Sequence, residues 1–221
     1  MGSTASPRIK ICCMQSAAEV ALAAKHGADA VGFVSAMPSG LGPISEELIA
    51  ALIPAVPAGI ASFLLTSRLS ADAIADQVRR LGPTTVQIVD RPEPGCRAEL
   101  RRRLPSTRIV QVVHVTGPEA VADAVAAAPE ADAILLDSGN PSLPVKELGG
   151  TGRTHDWATS RKIREAVGVP LWLAGGLTPA NVGAAIGAVR PFGVDVCSGV
   201  RTNGKLDEAK LARFVSEVRS P

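Results

Sequence analysis

Strand-like and helix-like stretches alternate eight times along this 221-residue chain, which predicts a single (β/α)8 (TIM) barrel domain over residues 8–221. Two further observations point the same way. The strand-like runs are nearly continuous in apolar residues, as parallel strands buried on both faces are. The glycines gather after the sixth, seventh and eighth strands, whereas an open doubly wound sheet would carry its Gly-rich turn after the first. Residues 1–7 lack the basic and apolar regions of a signal peptide and read as a disordered lead-in.

The elements follow in order. Residues 8–13, Arg-Ile-Lys-Ile-Cys-Cys, form the first strand, and 17–26 a helix closed by Gly27. Residues 28–34 are the second strand, 37–43 a Gly/Pro-rich loop, and Ser45 caps a helix that runs to about Ile53. Residues 59–65 are the third strand. Ser70 caps 71–81, whose Ile74, Val78 and Leu81 share one helical face. Strands at 84–89 and 108–115 are followed by helices at 96–103 and 118–127. The sixth strand, 131–137, leads into a long Gly-rich loop, 138–155, and a helix at 156–167. Strands at 170–174 and 193–197, with helices at 179–189 and 207–218, complete the eight units.

Composition narrows the function classes. The chain is 46% hydrophobic and 20% charged, with net charge +2, so neither nucleic acid nor an anionic membrane is called for. Aromatics are 3%, too few for base-stacking platforms. No apolar run approaches the roughly 18–20 residues that span a bilayer. Cys12, Cys13, Cys96 and Cys197 show no CxxC spacing and read as reduced thiols of a cytoplasmic protein, with Cys12 and Cys13 on opposite faces of their strand.

Barrel enzymes place their chemistry at the carboxyl ends of the strands. Gly175 and Gly176 end the seventh strand, Ser198 and Gly199 the eighth, and Gly150 and Gly152 lie in the loop after the sixth. Three Gly-rich loops on adjacent strands suit a phosphate held by backbone N–H groups, with a short helix N-terminus after the eighth strand adding its dipole. Cys12 ends the first strand. A lone thiol there reads either as a small buried hydrophobe or as a base, and with a pKa near 8.5 it would need help to ionise. Asp137 closes the apolar sixth strand. It reads either as a cap or loop ion pair or as an acid at the barrel mouth, across from the thiol.

The chain resembles the phosphoribosylanthranilate isomerase family of tryptophan biosynthesis. The resemblance lies in Lys10-Ile11-Cys12, Gly27 to Phe33, Val86-Gln87, Leu135 to Ser138, Gly149 to Gly152 with Asp156-Trp157, Leu173 to Leu177 with Asn181-Val182, and Gly193 to Val196 with Ser198 to Val200. It implies a ribulose-phosphate-binding barrel that converts an aminoaldose phosphate to an aminoketose phosphate, an Amadori rearrangement with no metal or cofactor. By position, Cys12 would take the proton from the sugar C2, and Asp137 would protonate the ring oxygen. Backbone groups of Gly150, Gly152, Gly175, Gly176, Ser198 and Gly199 would hold the phosphate. The cysteine argues against the related histidine-pathway isomerase, which has a carboxylate there. The partner expected is a small sugar phosphate, the protein being a monomer or homodimer.

The departures concern the other half of the substrate. The family has Gly where this chain has Cys13. Its Ser-Pro-Arg motif, whose arginine receives the anthranilate carboxylate, is replaced by Met37-Pro38-Ser39-Gly40-Leu41-Gly42-Pro43, and its Leu-His-Gly by Ile88-Val89-Asp90. Loss of such a charge-assisted contact costs about 10- to 150-fold in affinity. Arg68, Arg91, Arg153 and Arg201 follow strands three, four, six and eight and are the available substitutes; His114 could replace the histidine. Lys10 and Gln87 are further possible substrate contacts. His155 stands where the family has Phe and is given no role. Two alternatives remain at this point: a paralogous aldose–ketose isomerase for another sugar phosphate, and a non-catalytic sugar-phosphate-binding barrel.

Overall fold

The computed structural model describes residues 6–40 and 42–220. Residues 1–5 of the expected lead-in, Leu41 of the expected loop and Pro221 lie outside the described residues.

The first half of the chain builds four strand–helix units: β1 (Arg8–Ile11) and α1 (Ala17–Lys25), β2 (Ala30–Val34) and α2 (Glu46–Leu52), β3 (Ala61–Thr66) and α3 (Ala71–Leu81), β4 (Thr85–Ile88) and α4 (Cys96–Arg103). The second half repeats the pattern with β5 (Arg108–His114), α5 (Ala120–Ala127), β6 (Ala133–Asp137), α6 (Trp157–Ala166), β7 (Leu171–Leu173), α7 (Val182–Val189) and β8 (Gly193–Val196). A short hairpin, β9 (Arg201–Thr202) with β10 (Lys205–Leu206), precedes the closing helix α8 (Glu208–Arg219). Side-chain oxygens start many of the helices. Ser16, Ser45, Ser70, Asp156 and Asp207 each accept from a backbone N–H of the first turn that has no helical partner.

The eight strands pair in chain order, all parallel, and β1 closes on β8 in register from Arg8 opposite Gly193 to Ile11 opposite Val196. Closure explains the near-continuous apolar strands. One set of side chains, including Ile9, Ile11, Val31, Phe33 and Ile134, packs outward under the helices, with Ile74, Val78 and Leu81 of α3 joining it as expected. The alternate set, including Phe63, Leu65, Val110, Val112, Leu135 and Trp172, fills the barrel interior. The fold is thus the (β/α)8 barrel the sequence predicts.

One local expectation is corrected and another is narrowed. The first strand stops at Ile11, and Cys13 turns back with φ +65°, so Cys12 and Cys13 do not face opposite sides. Both belong to the interior cluster, with Cys197 packed against it. After β8 the expected short helix is a single three-residue 3-10 turn (Ser198–Val200). It leads into the hairpin, and α8 begins only at Glu208. Asn203-Gly204, both with positive φ, make the hairpin turn. Its strands are two residues each, too short for any periodicity to announce them.

Candidate active site

Cys12 sits one residue beyond β1, its N–H donating to Val196 O at 2.8 Å and so extending the β1–β8 ladder to the barrel mouth. Behind it, Arg201 anchors the turn. Its guanidinium donates to the carbonyls of Cys12 at 3.3 Å and Cys13 at 2.5 Å, and it pairs with the Glu19 carboxylate at 2.8 Å. Both side chains of that pair are nearly buried, so Arg201 holds up the thiol-bearing turn and is not available as a carboxylate receptor in the mouth.

The pKa of Cys12 is lowered. The largest cause is a hydrogen bond with the Cys13 thiol; burial opposes it and the charge of Lys10 assists. Cys13 is pushed well above the ordinary thiol value by its hydrogen bonds with Cys12 and Cys197 and by burial, so it keeps its proton and donates. The left-handed turn at Cys13 therefore changes the chemistry of its neighbour.

Lys10 lies below the thiol, fully buried, with its ammonium 2.7 Å from Asp195 across the β1–β8 seam and 5.1 Å from the Phe63 ring centroid. Burial opposes the charge on Lys10, but the Asp195 carboxylate outweighs it and holds Lys10 protonated. Burial likewise raises Asp195, against the pull of Lys10. Lys10 is thus the floor of the site and does not line the pocket, whereas Asp195 does, with Oδ1 lacking a partner.

Asp137 ends β6 on the far side of the same pocket, half-buried, with Oδ1 accepting from Ser138 N–H at 2.7 Å. Burial raises its pKa; the Ser138 bond and the nearby His114 pull less strongly the other way. Gln87 also lines the pocket, and its Oε1 has no hydrogen-bond partner. His114 is not part of the lining. Its Nε2 lies 2.8 Å from Val89 O, and its Nδ1 is buried without a partner.

The three glycine loops converge. Gly150, Gly152, Gly175, Gly176 and Ser198 line the pocket. Gly176 has φ +61°, and a Cβ there would meet the Arg153 carbonyl carbon at 2.5 Å. Gly199 stands behind the lining, where a Cβ would fall 1.9 Å from Leu177 O, so only glycine lets the loops after β7 and β8 approach this closely. Ser138 and Thr151 hydroxyls meet at 2.7 Å, and Asn181 donates to Gly176 O at 3.0 Å. His155 bridges Ser160 Oγ at 3.0 Å and Ala174 O at 3.2 Å, fixing the end of the β6–α6 loop against β7.

The remaining sequence candidates lie elsewhere. Arg91 pairs with Asp123, Arg153 with Glu147 and Arg68 with Glu46, and none of the three lines the pocket. The sequence alone gives no role to Asp195, Cys13 or Glu19. A carboxylate within the apolar run Gly193–Val196 was the available signal for Asp195. For the Arg201–Glu19 pair there was none. Among the described residues, no three His, Cys, Asp or Glu side chains gather to hold a metal, and no helix is long and apolar enough to cross a membrane.

A model of the N-(5'-phosphoribosyl)anthranilate (PRA) isomerase family matches residues 9–217. The N-(5'-phosphoribosyl)anthranilate isomerase of Methanothrix thermoacetophila is 38% identical over 214 residues, 96% of this chain and 98% of that protein. A solved phosphoribosyl anthranilate isomerase in complex with reduced 1-(o-carboxyphenylamino)-1-deoxyribulose 5-phosphate is 28% identical, with TM-score 0.78 over 96% of this chain and 98% of that one. Monomers of the dimeric enzyme from Thermotoga maritima match at 27% identity and TM-score 0.78, with the same coverage.

Proposed function

Because the chain belongs to the N-(5'-phosphoribosyl)anthranilate isomerase family, we propose that Cys12 is its general base and Asp137 its general acid. The protein is an isomerase of tryptophan biosynthesis that rearranges the aminoaldose phosphate N-(5'-phosphoribosyl)anthranilate to the aminoketose phosphate. The alternative of a paralogous isomerase for another sugar phosphate is not favoured, since the likeness runs along nearly the whole chain.

One observation carries the assignment of roles. Among the titratable groups that line one pocket, the surroundings drive the Cys12 thiol toward its thiolate and the Asp137 carboxyl toward its protonated form, while Asp195, the other carboxyl there, is held by the Lys10 ammonium. Opposed shifts of this kind separate a base from an acid within a single site.

The steps balance without an external oxidant or reductant. The Asp137 carboxyl gives its proton to the furanose ring oxygen. The C1–O bond breaks as the anilino nitrogen lone pair forms the C1=N bond of a protonated Schiff base. The Cys12 thiolate removes the C2 proton, and that electron pair forms C1=C2 while the C=N pair returns to nitrogen. The resulting enolamine becomes the ketose as its C2 hydroxyl loses a proton and C1 gains one. The backbone of Gly150, Gly152, Gly175, Gly176, Ser198 and Gly199 holds the phosphate in this reading. The orphaned Gln87 Oε1 accepts from a sugar hydroxyl. Lys10 acts through Cys12 without touching substrate, and His114, Arg91 and Arg153 are left without a direct contact. We take the enzyme to be cytoplasmic, in keeping with its thiols, and to work as a monomer or homodimer.

The test is a fluorescence assay of the loss of phosphoribosylanthranilate generated in situ. Wild type turns over. Cys12→Ser and Asp137→Ala each lose about 10²- to 10⁴-fold in rate, while binding of the reduced product analogue survives. Unchanged turnover in Cys12→Ser would remove the thiol from the mechanism.

A further inference from the structure

The anthranilate ring carries a carboxylate, and an anion moved from water against apolar walls needs a cation beside it. The closed strand order puts β3 and β4 opposite β7 and β8. A sugar phosphate anchored at the β7 and β8 loops therefore directs its aglycone toward β2–β4. The lining there is Val34, Met37, Leu65, Val89 and Leu148, well suited to an aromatic ring, but the described lining contains no lysine or arginine at all.

We propose that Lys146, in the loop between β6 and α6, receives the anthranilate carboxylate and sets the specificity for it; the assignment rests on the isomerase reading. The loop crosses the mouth to reach the aglycone side. Ser39 Oγ, from the loop after β2, donates to Lys146 O at 2.5 Å, and the Lys146 ammonium lies 2.6 Å from Asp90 Oδ2, beyond β4. Lys146 thus ties together the two loops where the family's cationic groups are missing from this sequence.

Lys146 and Asp90 stand at the edge of the pocket, outside its lining, and the reach of the ammonium follows from their neighbours. Asp90 is next to Val89, and Leu148 is two residues after Lys146; both Val89 and Leu148 line the pocket. Asp90 is buried, with its Oδ1 taken by the Arg91 N–H at 2.8 Å, so its other oxygen is a fixed anchor for the ammonium. The Lys146 side chain is 44% exposed. An ammonium has three N–H donors. One meets Asp90, and the others remain for a ligand carboxylate. Arg91 shares the β4 loop and its N–H binds Asp90, but its guanidinium is turned away to Asp123, while Arg68 and Arg153 are held by Glu46 and Glu147.

The test compares two ligands by calorimetric titration: reduced 1-(o-carboxyphenylamino)-1-deoxyribulose 5-phosphate and its counterpart lacking the carboxylate. Wild type is expected to prefer the carboxylated ligand by about 10- to 100-fold. Lys146→Met loses that preference without weakening the carboxylate-free ligand, and Lys146→Arg keeps most of it. A preference in Lys146→Met within twofold of wild type, or no preference in wild type, overturns the assignment. Turnover of phosphoribosylanthranilate is followed in parallel. Turnover together with a preference that survives Lys146→Met overturns Lys146 and leaves the isomerase reading standing. A Lys146-dependent preference without turnover does the reverse.

Discussion

A cysteine in neutral water is a poor base, only a few per cent thiolate at pH 7. Cys12 departs from this because the residue after it donates a hydrogen bond to it, with burial opposing and Lys10 assisting. That donor exists because Cys13 accepts φ +65°, a left-handed conformation that costs a side-chain-bearing residue about 1–2 kcal/mol and glycine almost nothing. Cys13→Gly restores the family's residue and removes the donor. The sign is fixed by the role: the base works deprotonated, so the rate falls as pH drops through the Cys12 pKa. Without the Cys13 thiol that pKa rises, and the acid limb of the kcat/KM profile moves to higher pH while the fold is kept. An acid limb left in place in Cys13→Gly would mean that Cys13 does not tune the base.

At the scale of elements, the site is a matter of loops held at close quarters. The loops after β7 and β8 touch where Gly199 meets the Leu177 carbonyl, and the 3-10 turn Ser198–Val200 carries Ser198 into the pocket from there. Gly199→Ala cannot be accommodated without separating the two loops. The expected result is a rise of at least about tenfold in KM and in the inhibition constant of inorganic phosphate, with kcat less affected, and a stability cost of about 1–3 kcal/mol. Equal affinity for phosphate in wild type and Gly199→Ala would take the phosphate away from this pair of loops. The hairpin β9–β10 belongs to the same argument. It begins at Arg201, whose guanidinium supports the Cys12–Cys13 turn from outside the barrel.

For the molecule as a whole, closure is the decisive event. The last strand of the barrel, β8, pairs with the first, and the Lys10–Asp195 ion pair lies on that seam, 185 residues apart in sequence. Two buried charges that satisfy each other contribute little net stability, but removing one leaves the other stranded. Lys10→Met should therefore cost about 3–5 kcal/mol in urea unfolding, and Lys10→Met with Asp195→Leu should regain most of it. A single variant as stable as wild type would show that the pair does not hold the seam. The same closure brings Cys12 from one end of the chain and Asp137 from its middle to one pocket.

The sequence by itself determined the barrel. Apolar runs alternating with capped, one-sided helices call for a parallel sheet covered on both faces, as the Ser45 and Ser70 caps and the α3 face illustrate, and the glycines after the sixth, seventh and eighth strands select the closed barrel over the open sheet. It also showed Cys12 and Asp137 at strand ends and the glycines of three loops, because chemistry on such a barrel belongs at those ends. Only the tertiary structure decided what surrounds them. The turn at Cys13, the Lys10–Asp195 floor, the Arg201–Glu19 support and the reach of Lys146 to Asp90, 56 residues away, all join groups distant in sequence or depend on a single backbone angle. Local pattern carries the period of an element, but it does not carry which loop crosses the mouth or which charges meet when the barrel closes.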